Sequence, residues 1–104
     1  MGNDSLRLSG PTLQVLGQFL DAPLTGLSGA DIAKQTKLAS GTLYPILMRL
    51  ESAKWLKSEW EKIEPSEAGR PRKRIYEMTS LGVSQSRAAF ALLVPVSGRL
   101  QWQS

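Results

Sequence analysis

The chain has 104 residues, a net charge of +4, and neither cysteine nor histidine. This length suits one domain with a modest hydrophobic core. Without cysteine there is no disulfide, thiolate nucleophile or cysteine-ligated metal, and without histidine the commonest general base and metal ligand are missing. The composition therefore argues against an enzyme, and we expect no metal and no cofactor.

Apolar runs are short, and positive charge is concentrated in one place. The run at 88–96 is well below the roughly 18 residues needed to span a bilayer, and the N-terminus lacks a signal pattern. We therefore expect a soluble, cytoplasmic protein without membrane contact. Four cations fall within five positions, at Arg70, Arg72, Lys73 and Arg74. This local excess matters more for binding than the total charge.

The first helix is predicted at 11–21. Residues 1–10 carry no regular pattern and are expected to be a flexible N-terminus. Pro11 stands at an early helical position behind Ser9 or Gly10, either of which can be the cap. Leucines then recur at helical spacing, and the proline and glycine that follow supply a turn.

A second helix, predicted at 29–36, is separated by three residues from a third at 40–53. Ser28 and Asp31 resemble a capping box, although that box prefers Glu or Gln at its last position. Helix, three-residue turn, helix is the spacing of a helix-turn-helix, whose last helix lies in the major groove of DNA. Many small helical proteins contain such a pair, so the spacing alone leaves a purely structural role open.

The third helix has an apolar face and a mixed outer face. The apolar positions at helical spacing are Leu43, Ile46, Leu47 and Leu50. The residues on the other side are Thr42, Tyr44, Met48 and Arg49. Because the positive end of the helix dipole attracts phosphate, we expect this second face in a DNA groove. If Thr42 is the cap, Pro45 lies in the first turn, where proline is tolerated. If Ser40 is the cap, Pro45 lies deeper in the helix, and the sequence leaves both possibilities open.

Two strands and a basic loop follow. Apolar and polar residues alternate over 55–63 and 72–78, which predicts an antiparallel hairpin. The connection at 64–71 is rich in turn-forming residues and too long for a tight hairpin. We therefore expect a flexible, exposed tip.

A last helix is predicted at 80–94, capped by Thr79 and ended by Pro95. Its apolar residues gather on two sides. The set expected to pack on the domain is Leu81, Ala88, Ala89 and Leu92. The set left for a second subunit is Val83, Phe90 and Val94, which we predict as the dimer interface.

Three segments together resemble the PadR-like transcriptional regulators. They are 40–51 (SGTLYPILMRLE), 56–61 (LKSEWE) and 72–82 (RKRIYEMTSLG), and the likeness extends over most of residues 11–90. The resemblance implies a mainly α fold with a small two-stranded antiparallel hairpin. In such a fold a winged helix-turn-helix at 11–79 precedes a C-terminal dimerisation helix and tail at 80–104.

The resemblance also implies a function. In that family the helix matching 40–53 enters the major groove, the hairpin is a DNA-binding wing, and the next helix builds a homodimer. We therefore expect a sequence-specific transcriptional regulator, a repressor that binds an inverted repeat in double-stranded DNA as a homodimer. The expected DNA-binding residues are Ser40, Gly41, Thr42, Tyr44, Pro45, Arg49, Arg70, Arg72, Lys73 and Arg74.

Three features depart from the family pattern. Lys54 stands where the family usually has glycine. Residues 24–27 replace the family's usual His-Gly-Tyr-like segment. The chain has little beyond its last helix, so the dimer interface is expected to be small.

The predicted contacts also have plain structural interpretations. Tyr44 can belong to the core, and Arg49 can pair with Glu51 or Glu77 instead of a phosphate. The basic tip can be a solvated charge run or a nuclear import signal. However, residues 69–71 (GRP) resemble the core of an AT-hook, and their place in a wing favours DNA.

Two alternatives concern the partner. The rival hypothesis is a winged-helix module that docks a protein through Trp60, Phe90 and Trp102 and binds DNA weakly or not at all. Some PadR-like relatives bind flat hydrophobic effectors between subunits. A small hydrophobic effector, with Trp102 as its lid, is therefore an open further partner.

Overall fold

The computed structural model describes residues 8–21 and 26–103, with side chains up to residue 93. Within these ranges the chain forms five helices and three strands. The helices are α1 Gly10–Asp21, α2 Gly29–Thr36, α3 Ser40–Ser52, α4 Pro65–Ala68 and α5 Ser80–Gln103, and the strands are β1 Leu27–Ser28, β2 Leu56–Trp60 and β3 Arg74–Met78. This mostly helical architecture with a small antiparallel sheet confirms the predicted winged-helix fold class.

The sheet contains three antiparallel strands in the order β1-β3-β2. Trp60 on β2 lies opposite Arg74 on β3. The residues that were predicted to point to the same side of each strand therefore form one face of the hairpin. The short strand β1 was not predicted. It pairs Leu27 with Tyr76, and two residues are too few to show an alternating pattern. This strand leads directly into α2 and joins the sheet to the helices.

The core lies between the first three helices and the inner face of the sheet. Leu43, Leu47 and Leu50 are fully buried, as predicted for this face of α3. Their buried neighbours include Val15, Leu16, Phe19, Ile32, Leu56, Tyr76 and Met78. A buried aliphatic or aromatic side chain of this size stabilises a fold by about 1.5–3 kcal/mol. The core therefore fixes α3 with its opposite face turned outward.

The two helices of the helix-turn-helix start differently. Ser28 and Asp31 form both hydrogen bonds of a capping box, each 3.1 Å long, which confirms the predicted start of α2. The cap residue of α3 is Ala39, which makes no side-chain cap hydrogen bond. Both predicted caps, Ser40 and Thr42, are therefore wrong.

Two residues of this region adopt unfavourable positions. Pro45 lies beyond the first turn of α3, where proline removes a helical hydrogen bond and typically costs roughly 3 kcal/mol. The carbonyl that loses its partner belongs to Gly41, which is exposed to water. Lys54, which follows α3, has a left-handed φ of 71°. Lysine there costs about 1 kcal/mol relative to the glycine that the family usually has.

The last helix differs from the prediction in length and in orientation. It continues through Pro95 to Gln103 instead of ending at residue 94. Val83 and Phe90 pack against the core, whereas Leu92 is 78% exposed. The predicted division of the helix into an inner and an outer side is therefore wrong.

Small residues explain the orientation of α5. Gly82 is buried, and a methyl group in its place would collide with the Trp55 carbonyl and fall 2.8 Å from the Met78 side chain. Ser86, one turn further on, is fully buried and its hydroxyl lies 3.9 Å from the Met78 sulfur. Because helices pack most closely where side chains are small, this side of α5 lies on the domain. Val94 and Trp102 fall outside the described side chains, and the predicted boundary between residues 79 and 80 stays a prediction.

Within the described ranges, none of the helices combines the length and the apolar character that crossing a bilayer requires.

Candidate nucleic-acid interface

The outer side of α3 is one exposed surface. Six predicted DNA-binding residues lie on it, namely Ser40, Gly41, Thr42, Tyr44, Pro45 and Arg49, and all are exposed. Because Ala39 provides no side-chain cap, the backbone amides of Ser40 and Gly41 are left for solvent or an anion, whereas the Thr42 amide donates to the Ala39 carbonyl at 2.9 Å. The structure therefore brings the predicted residues of this helix together on one side.

Tyr44 is exposed and at the same time held in place. It is 45% exposed, but its ring lies against Gly29 at the start of α2. A methyl group on Gly29 would fall 2.7 Å from Cε1 and 2.8 Å from Cζ of the ring. Only glycine permits this approach, so Tyr44 is neither a core residue nor a freely moving side chain. The sequence analysis missed Gly29, whose only signal was a glycine directly after a helix cap.

The carboxylates that could neutralise Arg49 interact elsewhere. Glu51 accepts a hydrogen bond of 2.7 Å from the Ser58 hydroxyl, and Glu77 lies 3.7 Å from the Lys57 ammonium. Arg49 is exposed, and among the described residues it forms no salt bridge. Its guanidinium group therefore remains accessible to an anion.

The tip of the wing is exposed, as predicted, but it has regular structure. The wing is defined here as β2, β3 and the connection between them. Four residues of the connection form the short helix α4, which ends at Gly69 with a left-handed φ of 73°. Glu61 then closes the base of the connection, because its backbone N–H donates to the Lys73 carbonyl at 2.8 Å. The connection is thus a short helix followed by a turn, whereas its flexibility stays a prediction.

Glu61 also binds the basic segment through its side chain. The Arg70 guanidinium donates to both carboxylate oxygens, at 2.7 and 3.0 Å, and the Lys73 backbone N–H donates to Oε1 at 3.0 Å. We call these three residues the clasp. The hydrogen bonds from Arg70, and after them the bond from the Lys73 backbone, lower the pKa of Glu61 from 4.5 to about 2. The hydrogen bonds to Glu61 in turn raise the pKa of Arg70. Arg70 is therefore engaged within the protein.

Arg72 lies beside an open cleft on the wing. Its Nε donates to the Ile63 carbonyl at 3.1 Å, which leaves its terminal nitrogens for other partners. The cleft is lined by Trp60, Pro65, Pro71 and Arg72 and has a volume of about 540 Å³. Trp60 is 56% exposed and presents apolar surface next to positive charge.

Arg74 is separated from the other cations of the basic segment. It lies on the inner face of the hairpin opposite Trp60, and its Nε donates to the Ser58 hydroxyl at 2.9 Å. Ser58 in turn donates to Glu51 at the end of α3. Arg74 therefore connects the wing to α3, a role that the sequence analysis missed. The available signal was the strand alternation, which places Arg74 in phase with the buried Tyr76.

The family was identified by comparison with known proteins. The sequence profile of the transcriptional regulator PadR-like family matches residues 22–88, which is more than half of the chain. No curated protein matches the chain significantly. This match agrees with the resemblance of the segments that form α3 and the two long strands.

Several solved structures share the fold. MepR, a transcription regulator of the Staphylococcus aureus multidrug efflux pump MepA, is 20% identical with a TM-score of 0.72, and the aligned region covers 92% of this chain and 65% of that chain. This chain thus spans slightly less than two thirds of that structure. A MepR–DNA complex from S. aureus is 17% identical, with a TM-score of 0.74 and coverage of 99% and 70%.

A PadR-like transcription factor from Bacteroides fragilis gives a TM-score of 0.67 at 21% identity, covering 90% of this chain and 92% of that one. At these identities the structural likeness supports the fold alone. The family and these neighbours are transcription regulators rather than enzymes, which confirms the expectation drawn from composition. From the profile match, together with the winged-helix fold, we conclude that the chain belongs to the PadR-like family of transcriptional regulators.

Proposed function

We propose that this PadR-like regulator is a sequence-specific repressor that binds double-stranded DNA as a homodimer. The observation that carries the proposal is the outer side of α3, where Tyr44 is fixed against Gly29 and Arg49 is left without an acidic partner among the described residues. A rigid aromatic ring and an accessible cation on one helix suit a groove lined by phosphates. The opposite side of the helix is anchored by three fully buried leucines.

The wing supplies the second proposed contact. Arg72 and Lys73 are exposed near the tip, and cations of a wing fit the minor groove, where a narrow A·T tract concentrates negative potential. We propose that α3 occupies the major groove while the tip lies along the adjacent minor groove. One structural neighbour was solved as a MepR–DNA complex, so in that protein the same fold binds DNA.

Repression and dimerisation are the finer parts of the proposal. Occupying a promoter is sufficient to repress it, whereas activation needs an additional contact with polymerase. Two copies of α3 related by a twofold axis would bind half-sites roughly 34 Å apart, which makes the operator an inverted repeat. Cytoplasmic location and a small hydrophobic effector stay predictions.

Selection of bound fragments from random double-stranded DNA tests the proposal directly. We expect enrichment of one inverted repeat and weaker binding of the selected duplex by Tyr44→Ala. Recovery of unrelated fragments, with equal affinity for all of them, would contradict sequence-specific binding. A reporter gene with the selected repeat placed over its promoter then tests repression, since expression should fall when the protein is produced.

The rival protein-docking module has lost part of its support. Phe90, one of its three proposed contacts, packs against the core, and Trp102 lies outside the described side chains. Trp60 remains exposed beside the cleft. Failure of the chain to bind any duplex at low salt would restore this alternative.

A further inference from the structure

Arg70, the arginine of the AT-hook-like segment, already has a carboxylate partner. Both terminal nitrogens of its guanidinium reach Glu61, at 2.7 and 3.0 Å, and one also donates to the Pro71 carbonyl at 3.1 Å. Parallel bonds from one guanidinium to two oxygens are the geometry with which arginine binds phosphate. Glu61 thus binds the Arg70 guanidinium, the group that would otherwise be available to DNA.

The carboxylate cannot simply follow the arginine. Glu61 is tied to Lys73 by two further bonds, one from the Lys73 N–H to Oε1 at 3.0 Å and one from its own N–H to the Lys73 carbonyl at 2.8 Å. If Arg70 turns toward DNA, Glu61 stays at the base of the tip without its guanidinium partner. Release of Arg70 is therefore opposed at every DNA sequence.

We propose that Glu61 is an autoinhibitory residue of the wing, which competes with DNA for Arg70 and thereby limits the affinity of the protein. This inference rests on the proposed DNA-binding function. Release of Arg70 is favourable only where the groove attracts it more strongly than Glu61 does, as in a narrow A·T minor groove. On other sequences Arg70 stays in the clasp, and binding depends on the remaining cations.

The Glu61→Gln variant separates this role from a structural one. Glutamine has nearly the same shape and keeps an oxygen for the Lys73 N–H, but it removes the charge that holds Arg70. Glu67→Gln is the matched control, because it makes the same change of net charge on α4, where Glu67 is exposed and forms no salt bridge with a described residue. The full chain is titrated with a duplex flanked by A·T pairs and with a G·C-flanked duplex of equal length.

The expected result is tighter binding by Glu61→Gln than by Glu67→Gln, by roughly tenfold on the A·T-flanked duplex, because the glutamine variant no longer has to break the clasp. This gain should vanish when Arg70→Ala is added. Equal affinity of the two glutamine variants would overturn the inference, and so would a gain that persists without Arg70. Wild-type protein that binds neither duplex would refute the proposed function itself, and the inference with it.

A second measurement uses the unaltered protein and does not depend on the folding of a variant. The carboxyl carbon of Glu61 is observed by NMR with ¹³C-labelled glutamate, before and after saturation with the A·T-flanked duplex. Loss of the guanidinium partner should shift this resonance, while that of Glu67 should change little. An unchanged Glu61 resonance at saturation would mean that Arg70 never leaves the clasp and would overturn the proposal.

Discussion

The guanidinium carbon of Arg74 lies 5.2 Å from the centre of the Trp60 ring, across the pairing of β2 with β3. At this distance a cation is attracted by the face of an indole. The same arginine donates to Ser58, and Ser58 donates to Glu51 on α3. One chain of contacts therefore fixes the wing relative to the helix that we propose reads DNA.

The first prediction follows from this connection. Arg74→Ala should lower the free energy of unfolding by about 0.5–1 kcal/mol, the usual size of an exposed cation–π contact. We expect the salt dependence of DNA binding to stay unchanged, because the Arg74 guanidinium is engaged by Trp60 and Ser58 within the protein. The neighbouring Lys73→Ala should instead flatten the log–log slope by about 0.9 with little effect on stability. Denaturant unfolding and DNA-binding titrations at several salt concentrations check both variants. A flattened salt slope for Arg74→Ala would mean that Arg74 contacts DNA.

The second prediction concerns the free cation of α3. Arg49→Ala should weaken DNA binding and flatten the salt slope by about one, since each neutralised phosphate releases condensed counterions. Lys57→Ala is the control, because Lys57 lies on β2 and pairs with Glu77. An Arg49→Ala variant that folds and keeps the wild-type slope would show that Arg49 is only a solvated surface residue.

The third prediction tests the packing of α5 with two identical substitutions. Gly82→Ala should destabilise the protein by roughly 1–3 kcal/mol, because the added methyl meets the Trp55 backbone and the Met78 side chain. Gly17→Ala should stabilise it by about 0.5–1 kcal/mol, because Gly17 lies within α1 with nothing within 4 Å of the added methyl. Urea unfolding of both variants measures the difference. Similar stability of the two would mean that Gly82 is not a close contact.

The fourth prediction is a pH dependence of the wing tip. The pKa of Glu61 is lowered to about 2 by Arg70 and by the Lys73 amide, against an ordinary value of 4.5. The clasp therefore stabilises the wing tip fully above about pH 4.5, and this stabilisation is lost as the pH falls toward 2. Hydrogen exchange of the Lys73 amide, corrected for the intrinsic pH dependence of exchange, should show this loss of protection. Glu61→Gln should show no such transition, and protection that is constant from pH 5 to 2 would contradict the clasp.

The fifth prediction concerns the proposed homodimer. Leu81, Ala88 and Leu92 recur at helical spacing along α5 and are exposed, and an apolar line of this kind favours an interface between subunits. Leu92→Asp should yield monomers in sedimentation experiments at tens of micromolar and should weaken binding to the inverted repeat. Arg87→Asp, on a different side of the helix, should leave the dimer intact. Wild-type protein that sediments as a monomer would contradict this part of the proposal.

Much of the fold was predictable because its signals are local. The leucines of α3 repeat at helical spacing, and the side that they define is fully buried. Ser28 and Asp31, three residues apart, formed the predicted capping box. Strand alternation also gave the correct phase of Trp60 and Arg74. In each case one segment carries the whole pattern, so neighbouring residues suffice to determine it.

Only the tertiary structure decided how these segments use their surfaces. The hydropathy of α5 indicated two apolar sides. Which of them packs on the domain depended on Gly82, whose small size matters only because the Trp55 backbone lies next to it. In sequence, Arg70 and Arg74 are equivalent cations of one basic run. In the fold, Arg70 meets Glu61 and Arg74 meets Trp60, because the wing folds back on itself and brings together residues that are 9 to 16 positions apart. Charge and hydrophobicity belong to the residue, whereas the partner that engages each charge is fixed by contacts between distant parts of the chain.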